Sequence, residues 1–217
     1  MRTFGYSEFM FILDAARWTI LLSLLAFIGG GIVGLIVALA RTAEHKTLRV
    51  LAIGFIQLFR GTPLLLQLFL IFFGFPVVGL EVNPWVAAGV ALTLNSGAFL
   101  GEIWRGCIEA IPRGQWEAAE ALGLSYRWKM REVILPQALK IAVPPTVGYL
   151  VQIVKGTSLA AIIGFTELTR AGQIINNATF QPMLVFSEVA AIYFILCWPL
   201  SLLAAHMERR LAAALAR

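Results

Sequence analysis

Arg60, Glu102 and Lys155 stand inside stretches otherwise apolar enough to cross a bilayer, where a charge at the centre costs about 2.5–3.5 kcal/mol on insertion scales. Each must face protein or water. Counted from the ends nearest the basic residues, Arg60 lies about ten residues along its stretch and Glu102 about nine along its own, similar depths at a helical rise of about 1.5 Å per residue. The two can pair, either as a lock between helices or as part of a gate. Lys155 lies deeper, after Pro144 and Pro145, and Gly156, Thr157 and Ser158 place backbone and hydroxyl groups beside it, so an anionic group can bind there. Asn95 and Ser96 fall near the middle of another stretch, where amide and hydroxyl serve either a small polar ligand or a neighbouring helix. Together these groups suit a zwitterion. Its carboxylate wants Lys155 or N–H donors, and its ammonium wants carbonyls, hydroxyls or a carboxylate such as Glu102. Nucleophilic catalysis is a poorer fit: Ser96 beside Gly97 is the candidate nucleophile, and the only histidines, His45 and His206, fall away from it.

A second kind of chemistry, docking, is written in the polar stretch Arg113 to Pro136, RGQWEAAEALGLSYRWKMREVILP. Gln115 to Leu122 is rich in helix formers, Glu117 is expected in the first turn, and Gly123 can adopt the left-handed cap that ends a helix. Ser125 can start a second short helix with Tyr126, Met130 and Val133 on one face, and Pro136 disfavours helical geometry at Leu135. The reading is helix, turn, helix. Ala118 and Ala119 allow close approach of a partner, with Arg127, Lys129 and Arg131 expected in water on the opposite side; a solvated loop without a partner is the alternative.

The elements that must hold these groups are membrane spans. Hydrophobic residues make up 59% of the 217 positions and charged residues only 13%, and the mean hydropathy is +0.83, which excludes an ordinary soluble domain. Segments that reach the roughly 20 residues a span needs run near Trp18–Ala40, Val50–Phe75, Pro84–Ile111, Pro136–Phe165 and Leu184–His206. The net charge of +5 follows loops and not one amphipathic surface, so no nucleic acid partner is expected. Arg41, Lys46 and Arg49, then Arg105, Arg113, Arg127, Lys129, Arg131 and Lys140, then Arg209, Arg210 and Arg217 mark the cytoplasmic side. The alternate segments carry only Arg170 and, at the N-terminus, Arg2 and Arg17, which puts the N-terminus outside and the C-terminus in the cytoplasm. The first span reads as retained and not as a cleaved signal, because its apolar run continues through Gly29, Gly30, Gly31 and Gly34 to Ala40. Gly30 and Gly34 permit close helix packing. Cys107 and Cys197 imply no disulfide framework. With no linker or internal repeat, residues 1–217 read as a single transmembrane domain that contains the 113–136 loop.

Glu117, Ala118, Ala119, Gly123, Leu135 and Pro136 fit the pattern EAA, three residues, Gly, nine residues, Ile, one residue, Leu-Pro, with Val133 in place of Ile. RGTPLLLQLF from Arg60, NSGAFLGEIWRG from Asn95 and VKGTSLAAIIGFTELTR from Val154 add to it. On these motifs the chain, from about Trp18 to Arg210, resembles the membrane permease subunits of binding-protein-dependent ABC importers, in the polar amino acid branch. The resemblance implies an all-α polytopic protein of five transmembrane helices with the importer-permease (MetI-like) fold, in the bacterial inner membrane. It implies that Glu117, Ala118, Ala119, Gly123, Arg127 and Pro136 seat the EAA loop in a groove of cytoplasmic ATP-binding subunits. It places Arg60, Thr62, Asn95, Ser96, Glu102, Lys155, Gly156, Thr157 and Ser158 on the substrate pathway. The implied partners are those ATPases, a second permease subunit (identical or paralogous), an extracytoplasmic amino-acid-binding protein, membrane lipid and a small amino acid cargo. Gly156 stands where members handling basic amino acids often have Asp, which points away from a cationic cargo. The chain lacks a G-x-x-x-x-G-K-[ST] phosphate loop, so it is expected to be no enzyme and to hold no cofactor, with ATP and magnesium on the partner ATPase. Alternating access driven from that partner is the expected mechanism. A membrane scaffold or signalling subunit bound to an ATPase, with no substrate site of its own, is the alternative.

Overall fold

The apolar run that carries Gly30 and Gly34 becomes one helix, α1 (Tyr6–Thr42), which begins about three turns before the expected span. The computed structural model describes residues 3–215, and among them there is helix but no strand. Arg2 and Arg217 lie outside the described residues. After α1 come α2 (Lys46–Gly61), α3 (Leu64–Val77), α4 (Pro84–Glu109), α5 (Arg113–Ala121), α6 (Tyr126–Ile163), α7 (Leu168–Thr179) and α8 (Pro182–Leu215). Helices α1, α4, α6 and α8 are each long and apolar enough to cross a membrane, and α2 with α3, bent at a break, are so when taken together as one broken span.

That broken span departs from the straight segment expected over Val50–Phe75: α2 and α3 meet at 101°. Pro63 is the cause, because its ring pushes the preceding residue out of helical geometry, and Thr62 is extended at φ −116, ψ 143. The opposite departure occurs in α6. Pro144 and Pro145 stay inside a continuous helical segment, Leu135–Gly156, and no break follows them. Nor does the chain leave helical geometry at Leu135. Pro136 has no N–H and its ring crowds the carbonyl one turn back, and a widened π-helical turn, Lys129–Ile134, precedes it and makes room. A 3₁₀ turn, Thr157–Ile163, closes α6 and ends at left-handed Gly164.

Helices α1 and α4 run parallel and form the most extensive pair in the protein. Their seam is made of backbone. A Cβ built on Gly30 would lie 2.5 Å from Ser96 Cβ, and one on Gly34 would meet Leu100 Cβ at 2.9 Å and the Gly101 nitrogen at 3.0 Å. Reciprocally, Val33 and Val37 fill the space that side chains on Gly97 and Gly101 would need. Small residues give close approach where no hydrophobic drive exists between helices in lipid. Around this seam Leu22, Ala26, Leu68, Ala88, Leu92 and Ile153 form the main core, which joins α1, α3, α4 and α6.

Candidate functional site

The break in the second span creates a polar problem about midway along α4, and the sequence solves it with amides. A helix ending inside the bundle leaves carbonyls without partners. Gln67 Nε2 donates to Phe59 O at 2.8 Å and to Thr62 O at 3.1 Å, and Asn95 Nδ2 donates to Phe59 O at 3.1 Å and to Gln67 Oε1 at 3.2 Å. Thr62 Oγ1 donates to Leu58 O and accepts from Gln67. Asn95 and Gln67 are both buried. The amide of Asn95 is thereby engaged with a neighbouring helix, and Gln67, which sequence reasoning passed over, shares the work. Its signal was its place in RGTPLLLQLF, a lone amide four residues after a proline in an apolar run.

Beside this cap stands a wall of charge and aromatic rings. Arg60, next to last in α2, holds its guanidinium 5.0 Å above the Phe99 ring. Phe99 in turn stacks on Tyr149 of α6 with centroids 5.4 Å apart, and Ser96 lies beside the Tyr149 hydroxyl. Glu102 Oε1 is 3.9 Å from Arg60 Nη1, the pairing expected from depth. A closer partner, Arg105, binds Glu102 with both ends of its fork, Nε to Oε2 at 2.9 Å and Nη2 to Oε1 at 2.6 Å, and also pairs with Glu109. One turn from Tyr149, Thr146 accepts from Trp104 Nε1 at 2.8 Å.

The remaining expected pathway residues are placed differently. Lys155 is exposed, and Ser158 Oγ donates to its carbonyl at 2.7 Å. Thr157 is fully buried, and its hydroxyl donates to Val154 O. Gly156 faces Leu64 and Leu92, with a Cβ position 3.4 Å from Leu64 Cδ2. Past them, Glu167 is a buried carboxylate with no place in the expected site. It accepts from Tyr193 at 2.7 Å and from the Arg170 N–H at 2.9 Å, and Leu168 N–H donates to Thr19 of α1. Burial pushes the Glu167 carboxyl above its ordinary value, against the hydrogen bonds that oppose the shift.

At the opposite end the 113–136 segment forms a knuckle. Helix α5 starts at Arg113, earlier than expected, so Glu117 stands beyond the first turn. Gly123 is left-handed at φ +70, and its N–H donates to Glu120 O while the N–H of Leu124 reaches Ala119 O, which closes the helix as expected. Ser125 occupies the next helix-start position with extended backbone but makes no side-chain cap bond. Met130 is buried with Ile108, Ile111 and Ile134, and Tyr126 and Val133 pack against them, so the shared face docks on the end of α4. Lys129 departs from expectation. It is 8% exposed, paired with Glu120 and set over the Trp116 ring at 5.7 Å, because Trp116 and Glu120 stand one turn apart on α5 and form a slot for it. Tyr126 Oη donates to Thr42 O at 2.8 Å and ties the knuckle to the end of α1. The outward surface carries Glu117, Ala118, Gly123, Arg127 and Pro136, together with Leu122 at 79% and Trp128 at 56% exposure, while Ala119 faces inward.

Comparison with known proteins agrees with this geometry. The family model described as a binding-protein-dependent transport system inner membrane component matches residues 30–213. The L-cystine transport system permease protein TcyB of Bacillus subtilis is 42% identical over 195 residues, covering 89% of this chain and 83% of that one. The glutamine transport system permease protein GlnP of Escherichia coli K12 is 39% identical over 203 residues, covering 92% of each. Among solved structures, an amino acid ABC transporter crystallised with histidines superposes with a TM-score of 0.88 at 34% identity, covering 96% of this chain and all of that one. The inward-facing MetNI methionine ABC transporter superposes with a TM-score of 0.75 at 22% identity, over 95% and 99% of the two chains, a likeness of fold.

Proposed function

The chain belongs to the family of binding-protein-dependent transport system inner membrane components, and from that premise we propose that it is one permease subunit of an ATP-driven importer that moves polar amino acids by alternating access. Its class, an amino-acid ABC transporter permease of the inner membrane, is the class of its relatives. In this reading the knuckle lies in the cytoplasm and seats on an ATP-binding subunit that holds ATP and magnesium. A second permease subunit completes the pathway, and an extracytoplasmic binding protein delivers the cargo. Arg60, Thr62, Asn95, Ser96, Glu102, Lys155, Gly156, Thr157 and Ser158 stand along or behind that pathway.

The observation that carries the reading is the knuckle itself. An apolar pair, Leu122 and Trp128, projects outward on either side of a left-handed glycine, on a loop rigidly backed by α4 and hydrogen-bonded to α1. A push on this loop reaches α6 through the chain, α4 through packing and α1 through Tyr126. The glycine seam makes α1 and α4 move together, and the amides of Asn95 and Gln67 tie the α2–α3 elbow to α4. Nucleotide shifts the two states only by its differential affinity for them, and the loop supplies that link.

Gly123→Asp tests this. A non-glycine residue there meets left-handed strain of roughly 1–2 kcal/mol and adds a charged side chain at the docking surface. The expected result is weakened co-purification with the ATPase subunit and reduced amino-acid-stimulated ATP hydrolysis in proteoliposomes. Unchanged values for both would remove the loop from the mechanism.

A further inference from the structure

Arg60 is the one member of the interior wall whose charge is left over. Its guanidinium makes no hydrogen bond to any of the described residues; its neighbours are the Phe99 ring at 5.0 Å and a loose 3.9 Å approach to Glu102. Glu102 has little to offer it, because Arg105 already takes both carboxylate oxygens at 2.9 and 2.6 Å. The nearby amides give it no acceptor either: Gln67 Oε1 already accepts from Asn95 Nδ2, and no hydrogen bond joins Arg60 to Asn95. Arg41, at the end of α1, adds a further positive charge within reach of Glu102, and its Nε is buried without a partner. Arg41, Arg60 and Arg105 thus all act on Glu102, and with Glu109 paired to Arg105 the cluster holds three arginines to two carboxylates.

The Arg60 side chain is 40% exposed, level with Phe99 and Glu102 inside the span that α4 makes. At that depth an exposed guanidinium cannot look into lipid and must look into water or protein. It is backed on one side by Phe99, which is itself stacked on Tyr149. A planar donor fork, backed by an aromatic ring and with no hydrogen bond of its own among the described residues, matches a carboxylate in two-point geometry.

We infer that Arg60 receives the α-carboxylate of the amino acid in transit. The assignment rests on the importer reading above and gives the carboxylate a different host from Lys155, whose exposed ammonium lies on α6, apart from this aromatic support. Discrimination follows from the same geometry. An amino acid whose carboxylate is capped as an amide keeps its shape but loses the charge-assisted bonds.

The test uses the permease–ATPase complex purified without binding protein, so that recognition by the binding protein does not mask the permease. The probes are the proteinogenic L-amino acids and L-cystine, and then the α-carboxamide of the one bound most tightly. The unmodified complex is expected to hold the acid at least about tenfold more tightly than its amide, the size of effect for one hydrogen bond to a charged group. Arg60→Gln should bring the ratio close to one by weakening the acid and leaving the amide unchanged. Arg60→Lys, with charge but no fork, should fall between. The amide serves as an internal control, since a misfolded variant would lose both probes. An unaltered ratio in Arg60→Gln overturns the assignment, as does absence of saturable acid binding in a complex that transports. Separation of the permease subunits in Arg60→Gln also overturns it and gives Arg60 to the subunit interface. Failure of the intact complex, with binding protein, to take up any probe is a different result: it rejects the importer reading itself.

Discussion

Gly30→Ala puts the close packing of α1 and α4 to a quantitative test. The added methyl carbon would sit 2.5 Å from Ser96 Cβ and 3.2 Å from both the Ser96 carbonyl carbon and the Gly97 nitrogen. Carbon atoms rest about 3.5–4.0 Å apart, so the helices must part by about 1 Å or tilt. Backbone cannot rotate away as a flexible side-chain end can. Overpacking of this kind costs about 1–3 kcal/mol, which at about 2–4 °C per kcal/mol for a chain of this size is a melting shift of several degrees. Gly106→Ala on α4 is the control, because nothing lies within 4 Å of its Cβ position. There alanine only improves helix propensity, by up to about 1 kcal/mol. Thermal melting of the purified protein in detergent should therefore move in opposite directions for the two variants. Equal shifts, or an unchanged melt for Gly30→Ala, would show that the seam yields and that the geometry has been over-read.

Gln67→Leu keeps the volume but strips the amide donor from Thr62 O and one of the two from Phe59 O, which keeps Asn95, and should cost about 1–3 kcal/mol for the part-buried carbonyl left unpaired; a wild-type melting curve would mean that the elbow needs no cap. Glu167 predicts a pH effect. Its folded value lies above 4.5, so below that pH both states are protonated and the group contributes nothing. As pH rises toward the folded value the unfolded state releases its proton first, and stability falls; above it the loss is constant. Melting of Glu167→Gln relative to wild type should therefore improve from pH 4.5 upward, and a difference that stays flat or runs the other way rejects the buried-acid account.

Hydropathy sufficed to locate the spans, because each needs roughly 20 mainly apolar residues whether or not it bends, and the left-handed end of α5 was legible because Gly123 is the residue that tolerates it. The Arg60–Glu102 approach followed from counting residues along two helices. What could not be read was which proline breaks its helix. Pro63 does, and Pro144 and Pro145 do not. The outcome at Pro63 depends on donors brought by Gln67 and by Asn95, 28 residues further on, and a pairing at that distance leaves no local pattern. Lys129 was assigned to water because lysine usually lies there; its burial required seeing Trp116 and Glu120 as a slot on the preceding helix. Arg105 reads in sequence as one more basic residue marking the cytoplasmic side, yet it holds Glu102 more firmly than Arg60 does. Glu167 was hidden inside the motif that contains it, since a cap residue that also faces a tyrosine from another helix looks like any other acidic residue in sequence.

The parallel course of α1 and α4 also sets a timetable for biogenesis. Gly30 and Gly97 are 67 residues apart in the chain, and a ribosome adding about 5–20 residues per second needs several seconds to pass from one to the other. During that interval the nascent first helix has no groove to fit, and its glycine face is left to lipid or to the insertion machinery. The tightest joint of the finished protein therefore cannot close until the third crossing has emerged, and the contacts of α1 with α7 and α8 come later still.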